Sequence, residues 1–146
     1  MNRIVLRLSA LMLVIVTASN SFAGDVSRLA YDDPNGDTHV VCQNDATQSY
    51  ELYIPATAPA VDSPILYGFD PGGDGKGLLL TLAAAAAANG WMVAVSNNSK
   101  NGAWSTIFTA QDAVLQDREA RWSLHPTRRF AGGMSGGARA FSSPAA

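Results

Sequence analysis

The chain has 146 residues, enough for one domain, and carries 10 basic and 12 acidic side chains, two histidines and one cysteine. Only Arg128 and Arg129 are adjacent among the basic residues, which excludes the clustered positive surface that nucleic acid or anionic lipid requires. Cys42 has no second cysteine to pair with, so no internal disulfide framework exists.

Residues 1–7 carry Arg3 and Arg7 as their only charges, residues 8–17 are apolar, and residues 19–23 end in small side chains, with Ser21 and Ala23 at the −3 and −1 positions. That order is the one of a secretory signal peptide (1–23), cleaved after Ala23, and it predicts a secreted or periplasmic protein. The densest apolar stretch, 10–16, is well short of the roughly 20 residues that span a bilayer. Taking Arg3 and Arg7 from the 10 basic residues leaves 8 against 12 acidic ones, a net charge of −4 for residues 24–146. The longest later apolar run, 78–88, is about half a membrane span, so no membrane partner is expected after cleavage. Oligomeric state is not legible.

Residues 31–37 (Tyr-Asp-Asp-Pro-Asn-Gly-Asp) are turn formers and predict a surface loop. Strands are expected at 38–42 and 49–54, the second alternating Tyr50, Leu52 and Ile54 against Glu51 and Tyr53. The short apolar run 65–69 fits a strand buried on both faces. A glycine-rich loop, 70–77, opens a helix from Leu78 to about Ala88, stopped by Asn89-Gly90. A second buried strand is expected at 91–95, a polar loop at 96–102, and a helix at 109–124 that His125-Pro126 ends. A third strand at 129–133 leads into another helical start at 138–141. Strand and helix alternating in this way predict an α/β fold, with a mostly parallel sheet and flanking helices. Ligands of such sheets bind beyond the carboxyl ends of the strands, where both glycine-rich loops, 70–77 and 132–137, fall.

Gly133-Met134-Ser135-Gly136-Gly137 is a G-x-S-x-G pentapeptide between an expected strand and an expected helix. That context suits a nucleophilic serine on a strained turn, framed by small residues because neighbouring backbone comes close. A serine that cleaves an ester needs a base, and donors for the oxyanion. Gly136 N–H, next to the nucleophile at a helix start, is one expected donor. Gly73, and after it Gly72, are the candidates for the second, in the loop Asp70-Pro71-Gly72-Gly73-Asp74-Gly75. Asp70 and Asp74 suit solvated or loop-capping carboxylates better than catalytic ones.

Four pieces in order carry a resemblance: Tyr50-Glu51-Leu52-Tyr53-Ile54-Pro55, the loop 71–75, Gly90-Trp91-Met92-Val93-Ala94-Val95, and the run 127–137. Residues 50–141 resemble the first half of an α/β-hydrolase, closest to secreted esterases of the polyhydroxybutyrate-depolymerase and feruloyl-esterase type. The resemblance implies a serine carboxylic-ester hydrolase acting on a small-molecule or polymeric ester through a Ser135 acyl-enzyme, without metal or organic cofactor. It also implies further strands that bear a catalytic acid and a histidine. Only nine residues follow Gly137, so 24–146 is expected to be an incomplete α/β-hydrolase domain, truncated after the nucleophile turn and inactive as it stands. A non-catalytic binding module that keeps the cleft and lacks the base is the alternative.

Neither histidine offers itself as the base. His125 precedes the strand leading to Ser135, at its far end, and His39 belongs to an early strand or its flanking loop. Other motifs are incomplete. Gly75-Lys76 lacks the earlier glycine and the following Ser or Thr of a phosphate loop. Asp33, Asn35 and Asp37 lack the glycine and glutamate of a calcium loop. His39 and Cys42 have the spacing of two metal ligands but want two more, so no metal site is expected. Asn97-Asn98-Ser99 fits a glycosylation acceptor.

Overall fold

The computed structural model describes residues 27–141, so the expected signal peptide lies outside the described residues. After a 3-10 turn, Arg28–Tyr31, the chain forms β1 (His39–Val41), β2 (Ser49–Tyr53), β3 (Ser63–Phe69), α1 (Gly75–Asn89), β4 (Met92–Ser96), α2 (Trp104–Arg121) and β5 (Leu124–Gly133), and then a 3-10 helix, Ser135–Phe141. The five strands make one sheet in the order β1-β2-β4-β3-β5. It is an α/β fold, with two helices packed on the sheet. The sheet is mixed rather than mostly parallel: β3 pairs parallel with β4 and β5, whereas β2 pairs antiparallel with β1 and β4.

Sequence alternation settles the faces. Tyr50 and Leu52 of β2, Ile65, Tyr67 and Phe69 of β3, and Met92 and Ala94 of β4 bury against Ile107 and Val114 of α2. The alternate residues Tyr53, Val93 and Val95 bury against Leu79, Ala83 and Ala86 of α1. The helices take opposite faces for a chiral reason. From β3 the chain moves one way to β4, and from β4 it crosses back over β3 to reach β5. Right-handed crossovers therefore put α1 and α2 on opposite sides.

Helix α1 is Leu- and Ala-rich. Its start is fixed by Asp74, whose carboxylate accepts from Gly77 N–H, and its end by Gly90 at φ +66°, donating to Ala86 O. Helix α2 begins five residues before the expected Thr109 and stops at Arg121, short of Leu124. Leu124, His125 and Pro126 belong instead to β5, because Pro126 sits in an irregularity of an edge strand, where a missing N–H costs no ladder bond. Between the pairs Ser63–Leu124 and Ile65–Arg129, β3 advances two residues and β5 five. The His125 ring closes this bulge by accepting from Thr127 and Arg128 N–H at 3.2 and 3.1 Å.

Beneath α2 lies an ionic cluster. Arg118, wholly buried, donates to Tyr50 Oη at 3.2 Å and stacks over the Trp122 ring. Tyr50 in turn donates to Asp117 at 2.7 Å. Burial pulls the guanidinium below its ordinary range, and its Nε and Nη2 have no hydrogen-bond partner.

Candidate active site

Adjacent strands whose outgoing connections leave toward opposite faces open a crevice between their carboxyl ends. Here β3 meets that condition with both its neighbours, β4 and β5, and its crevice with β5 is the one that both glycine segments border. The glycine loop leaves β3 toward α1, and the 3-10 helix leaves β5 to pack against α2. Phe69, the last residue of β3, pairs directly with Gly133, the last of β5, and this brings the two loops side by side.

Ser135 stands on that crossing. It is exposed, begins the 3-10 helix, and has φ +52°, a left-handed conformation shared among the described non-glycine residues only with Asp62. The surrounding glycines answer to close contacts. A Cβ on Gly137 would stand 1.8 Å from Phe69 O, and one on Gly133 would stand 2.7 Å from the same oxygen. One on Gly136 would stand 1.7 Å from Asn101 Oδ1. Gly137 N–H closes the turn onto Met134 O at 2.9 Å. The element that follows Ser135 is a 3-10 helix of seven residues, and Gly136 N–H, in its first turn, has no intrahelical acceptor.

The expected second donor is a different matter. Gly72 N–H donates to Asp70 Oδ2 at 2.6 Å, Asp74 N–H to the same oxygen at 3.1 Å, and Gly73 N–H to Asp70 O at 3.2 Å. The glycine loop is therefore wound around Asp70, and the N–H groups of Gly72 and Gly73 are turned onto that residue rather than presented to a ligand. Asp70 caps the loop, as its position suggested. Gly73 is required on other grounds, its φ of +78° and the close approach of Asn97 O.

The histidines lie apart from Ser135. His39 shares a transverse row with Glu51, Val95, Gly68 and Gly132, on the same rim of the sheet. Four strand spacings, about 19 Å, separate it from β5. Its Nδ1 lies 3.1 Å from Glu51 Oε1, an arrangement that sequence reading missed because the two residues meet only through the β1–β2 pairing. Thr38 Oγ1 and Asn97 Nδ2 also donate to the Glu51 carboxylate. Burial pushes that carboxyl up, and the hydrogen bonds from Thr38, Asn97 and His39 outweigh it, holding it below its ordinary range. His125 stands one residue into β5, about 20 Å from Gly133 along the six steps of β3 that run beside it, farther than a five-residue strand would give.

The remaining motifs resolve as structure. Lys76 donates to Gly36 O and Thr38 Oγ1, and the Asp33–Asp37 segment is a turn in which Asn35 N–H donates to Asp33. Burial, with Asp117 nearby, pushes the Cys42 thiol up to about 12. The Asn97 amide is held by Glu51 and Ser49, and Ser99 is buried with its hydroxyl on Asp70 O, so the glycosylation tripeptide is not presented by the folded chain. Among the described residues no cluster of three or more His, Cys, Asp or Glu side chains could hold a metal, and no helix is long and apolar enough to cross a membrane.

On the α1 side, a cavity of about 580 Å³ abuts the crossing, lined by Leu66, Leu78, Leu82 and Met134 together with Asp70 and Asp74. No family model matches the chain, and no curated protein matches its sequence.

Proposed function

We propose that the protein is a serine carboxylic-ester hydrolase of α/β-hydrolase type, with Ser135 as the nucleophile and a small-molecule or polymeric ester as substrate. One observation carries the reading: Ser135 holds an exposed left-handed turn at the end of a parallel strand, within a frame of glycines that backbone contacts demand. Strain of this kind, of order 1–3 kcal/mol, persists where surrounding structure enforces it and clusters at functional positions. The adjoining apolar cavity suits the apolar part of an ester. Attack by Ser135 Oγ forms the O–C bond and moves the carbonyl π pair onto oxygen, while the Oγ proton passes to a base. Neither described histidine is near enough to be that base, so water takes the proton and turnover by these residues alone is residual. No metal or organic cofactor enters the scheme, and the protein is exported if the N-terminal signal acts as expected.

The same separation of both histidines from Ser135 favours a second reading, a binding module that keeps the crevice without catalysis. An alkyl fluorophosphonate at high concentration separates the two: Ser135 Oγ attacks phosphorus slowly, water takes the Oγ proton, and fluoride leaves. Intact-mass and peptide mapping should place the label on Ser135, and Ser135→Ala should abolish it. Saturable ester binding with no label on Ser135 would favour the binding module and refute the hydrolase.

A further inference from the structure

Asn-Gly is the dipeptide at which a main chain most readily modifies itself, because glycine leaves its nitrogen unshielded against the preceding carboxamide. The sequence holds such pairs at Asn35, Asn89 and Asn101, and the fold treats them differently. Gly36 N–H donates to Asp33 O at 3.1 Å, Asn35 N–H donates to Asp33 Oδ1 at 2.9 Å, and Gly36 O accepts from Lys76, so that peptide is pinned on both sides. Asn89 is the last residue of α1. Its Nδ2 donates to Ala85 O at 2.8 Å, and the buried Gly90 donates its N–H to Ala86 O. Asn101-Gly102, by contrast, is exposed in the loop before α2. Among the described residues neither the Asn101 carboxamide nor Gly102 N–H makes a hydrogen bond. A Cβ on Gly102 would have only Lys100 O within reach, at 4.0 Å. The bond from Asn101 N–H to Pro71 O, at 2.8 Å, lies before the torsions that must turn, ψ and χ1 of Asn101.

We propose that Asn101 is the residue at which the folded chain deamidates, through a cyclic imide formed with Gly102. The Gly102 nitrogen attacks Asn101 Cγ and forms the new C–N bond. The Cγ–Nδ2 bond breaks, and Nδ2 leaves as ammonia with the proton that Gly102 N–H gives up. Water then opens the ring. Addition at Cγ leaves aspartate, and addition at the Asn101 main-chain carbonyl leaves isoaspartate, in which the chain runs through Cγ. Nothing is oxidised or reduced, and water is the co-reactant. The position gives the change a consequence. Asn101 Oδ1 rests against Gly136, 1.7 Å from where a Cβ of that glycine would stand. Either product therefore adds a negative charge where the loop 97–101 meets the turn that carries Ser135. Isoaspartate also lengthens the main chain between the Pro71 bond and the start of α2.

The test is storage of the purified protein in mildly alkaline buffer, both folded and in denaturing urea. Peptide mapping by mass spectrometry follows the exchange of NH2 for OH at each pair and distinguishes aspartate from isoaspartate. In urea all the pairs are released and should react at similar rates. In the folded protein Asn35 and Asn89 should lag Asn101 by about fivefold or more, the population cost of freeing even one hydrogen bond. Both aspartate and isoaspartate should appear at residue 101. Gly102→Ala should slow the change at Asn101 with an unchanged melt, since its Cβ meets open space and its φ is not left-handed. A folded-state rate at Asn35 or Asn89 equal to that at Asn101 overturns the inference. So does the same ranking with the same ratios in urea, because the preference would then belong to neighbouring residues and not to the fold. Aspartate without isoaspartate, or an unchanged Asn101 rate in Gly102→Ala, overturns the route through Gly102.

Discussion

Gly137→Ala puts the turn geometry to a direct test. The new Cβ would stand 1.8 Å from Phe69 O and 2.7 Å from Phe69 C, and both are backbone atoms at the end of the sheet's central parallel strand. No rotamer change relieves such a contact. Real Cβ atoms essentially never come closer than 3.0 Å, so the turn and the end of β3 must part by more than about 1 Å. Overpacking of a tight site costs about 1–3 kcal/mol, and the absence of a movable side chain places this case near 3. For a domain of this size, that is roughly 10 °C in melting temperature. Gly132→Ala is the control, since a Cβ there meets nothing within 4 Å, and it should stay within about 0.5 kcal/mol. Urea unfolding followed by tryptophan fluorescence reads the global change. Hydrogen exchange at the Gly137 amide, which donates to Met134 O, reads detachment of the turn alone. A Gly137→Ala protein with wild-type midpoint and wild-type protection of that amide would refute the packing described for this turn.

Glu51 and Tyr50 give two more tests. Hydrogen bonds from Thr38, Asn97 and His39 hold the Glu51 carboxyl below its ordinary value of 4.5 despite burial, so its contribution is fully present above that value and is lost as pH falls through the lower folded value. Urea midpoints measured from pH 6 down to pH 3 should fall for the wild type and fall less steeply for Glu51→Gln; parallel curves would show that this carboxylate is not held as described. Tyr50→Phe removes the hydroxyl that accepts from Arg118 and donates to Asp117, which should cost about 1–3 kcal/mol by leaving buried charged groups short of a partner. A urea midpoint indistinguishable from wild type would count against that account.

Local pattern made part of this architecture legible. The alternation of Tyr50, Leu52 and Ile54 placed them on one face, and Asn89-Gly90 marked the end of α1, because both signals are written within a few residues. The start of α2 was hidden. Trp104, Thr106, Ile107 and Phe108 are mediocre helix formers, and packing of Ile107 into the core overrides their propensity. Pro126 argued against a strand, and only the bulge beside β3 admits it. The antiparallel setting of β2 is decided by pairing across the sheet and leaves no local mark. At the site, the pentapeptide and a strained turn at Ser135 were legible, though not that the strain is a left-handed φ. The capture of the glycine-loop N–H groups by Asp70, and the Asn101 side chain on Gly136, were not. The second joins loops 35 residues apart in the chain, and no spacing rule connects them.

The strand order β1-β2-β4-β3-β5 has a kinetic consequence. Of its four pairings, two join strands consecutive in the chain, β1 with β2 and β3 with β4. Only the first is a local hairpin, since α1 lies between β3 and β4. A lone two-stranded ribbon is marginal in water, so this hairpin cannot by itself anchor the rest. Strands β2 and β3 are consecutive, linked by residues 54–62, yet in the finished sheet they never touch, because β4 lies between them. Folding must therefore keep open a slot between two apolar strands until α1 and β4 have followed, and a β2–β3 hairpin is the trap most accessible to the nascent chain. Distant pairings of this kind also slow the search, since each loop must close before its contacts repay the entropy. Glu51, buried midway along β2, weighs against the trap: beside β4 its carboxylate meets Asn97, a partner that no β2–β3 hairpin contains.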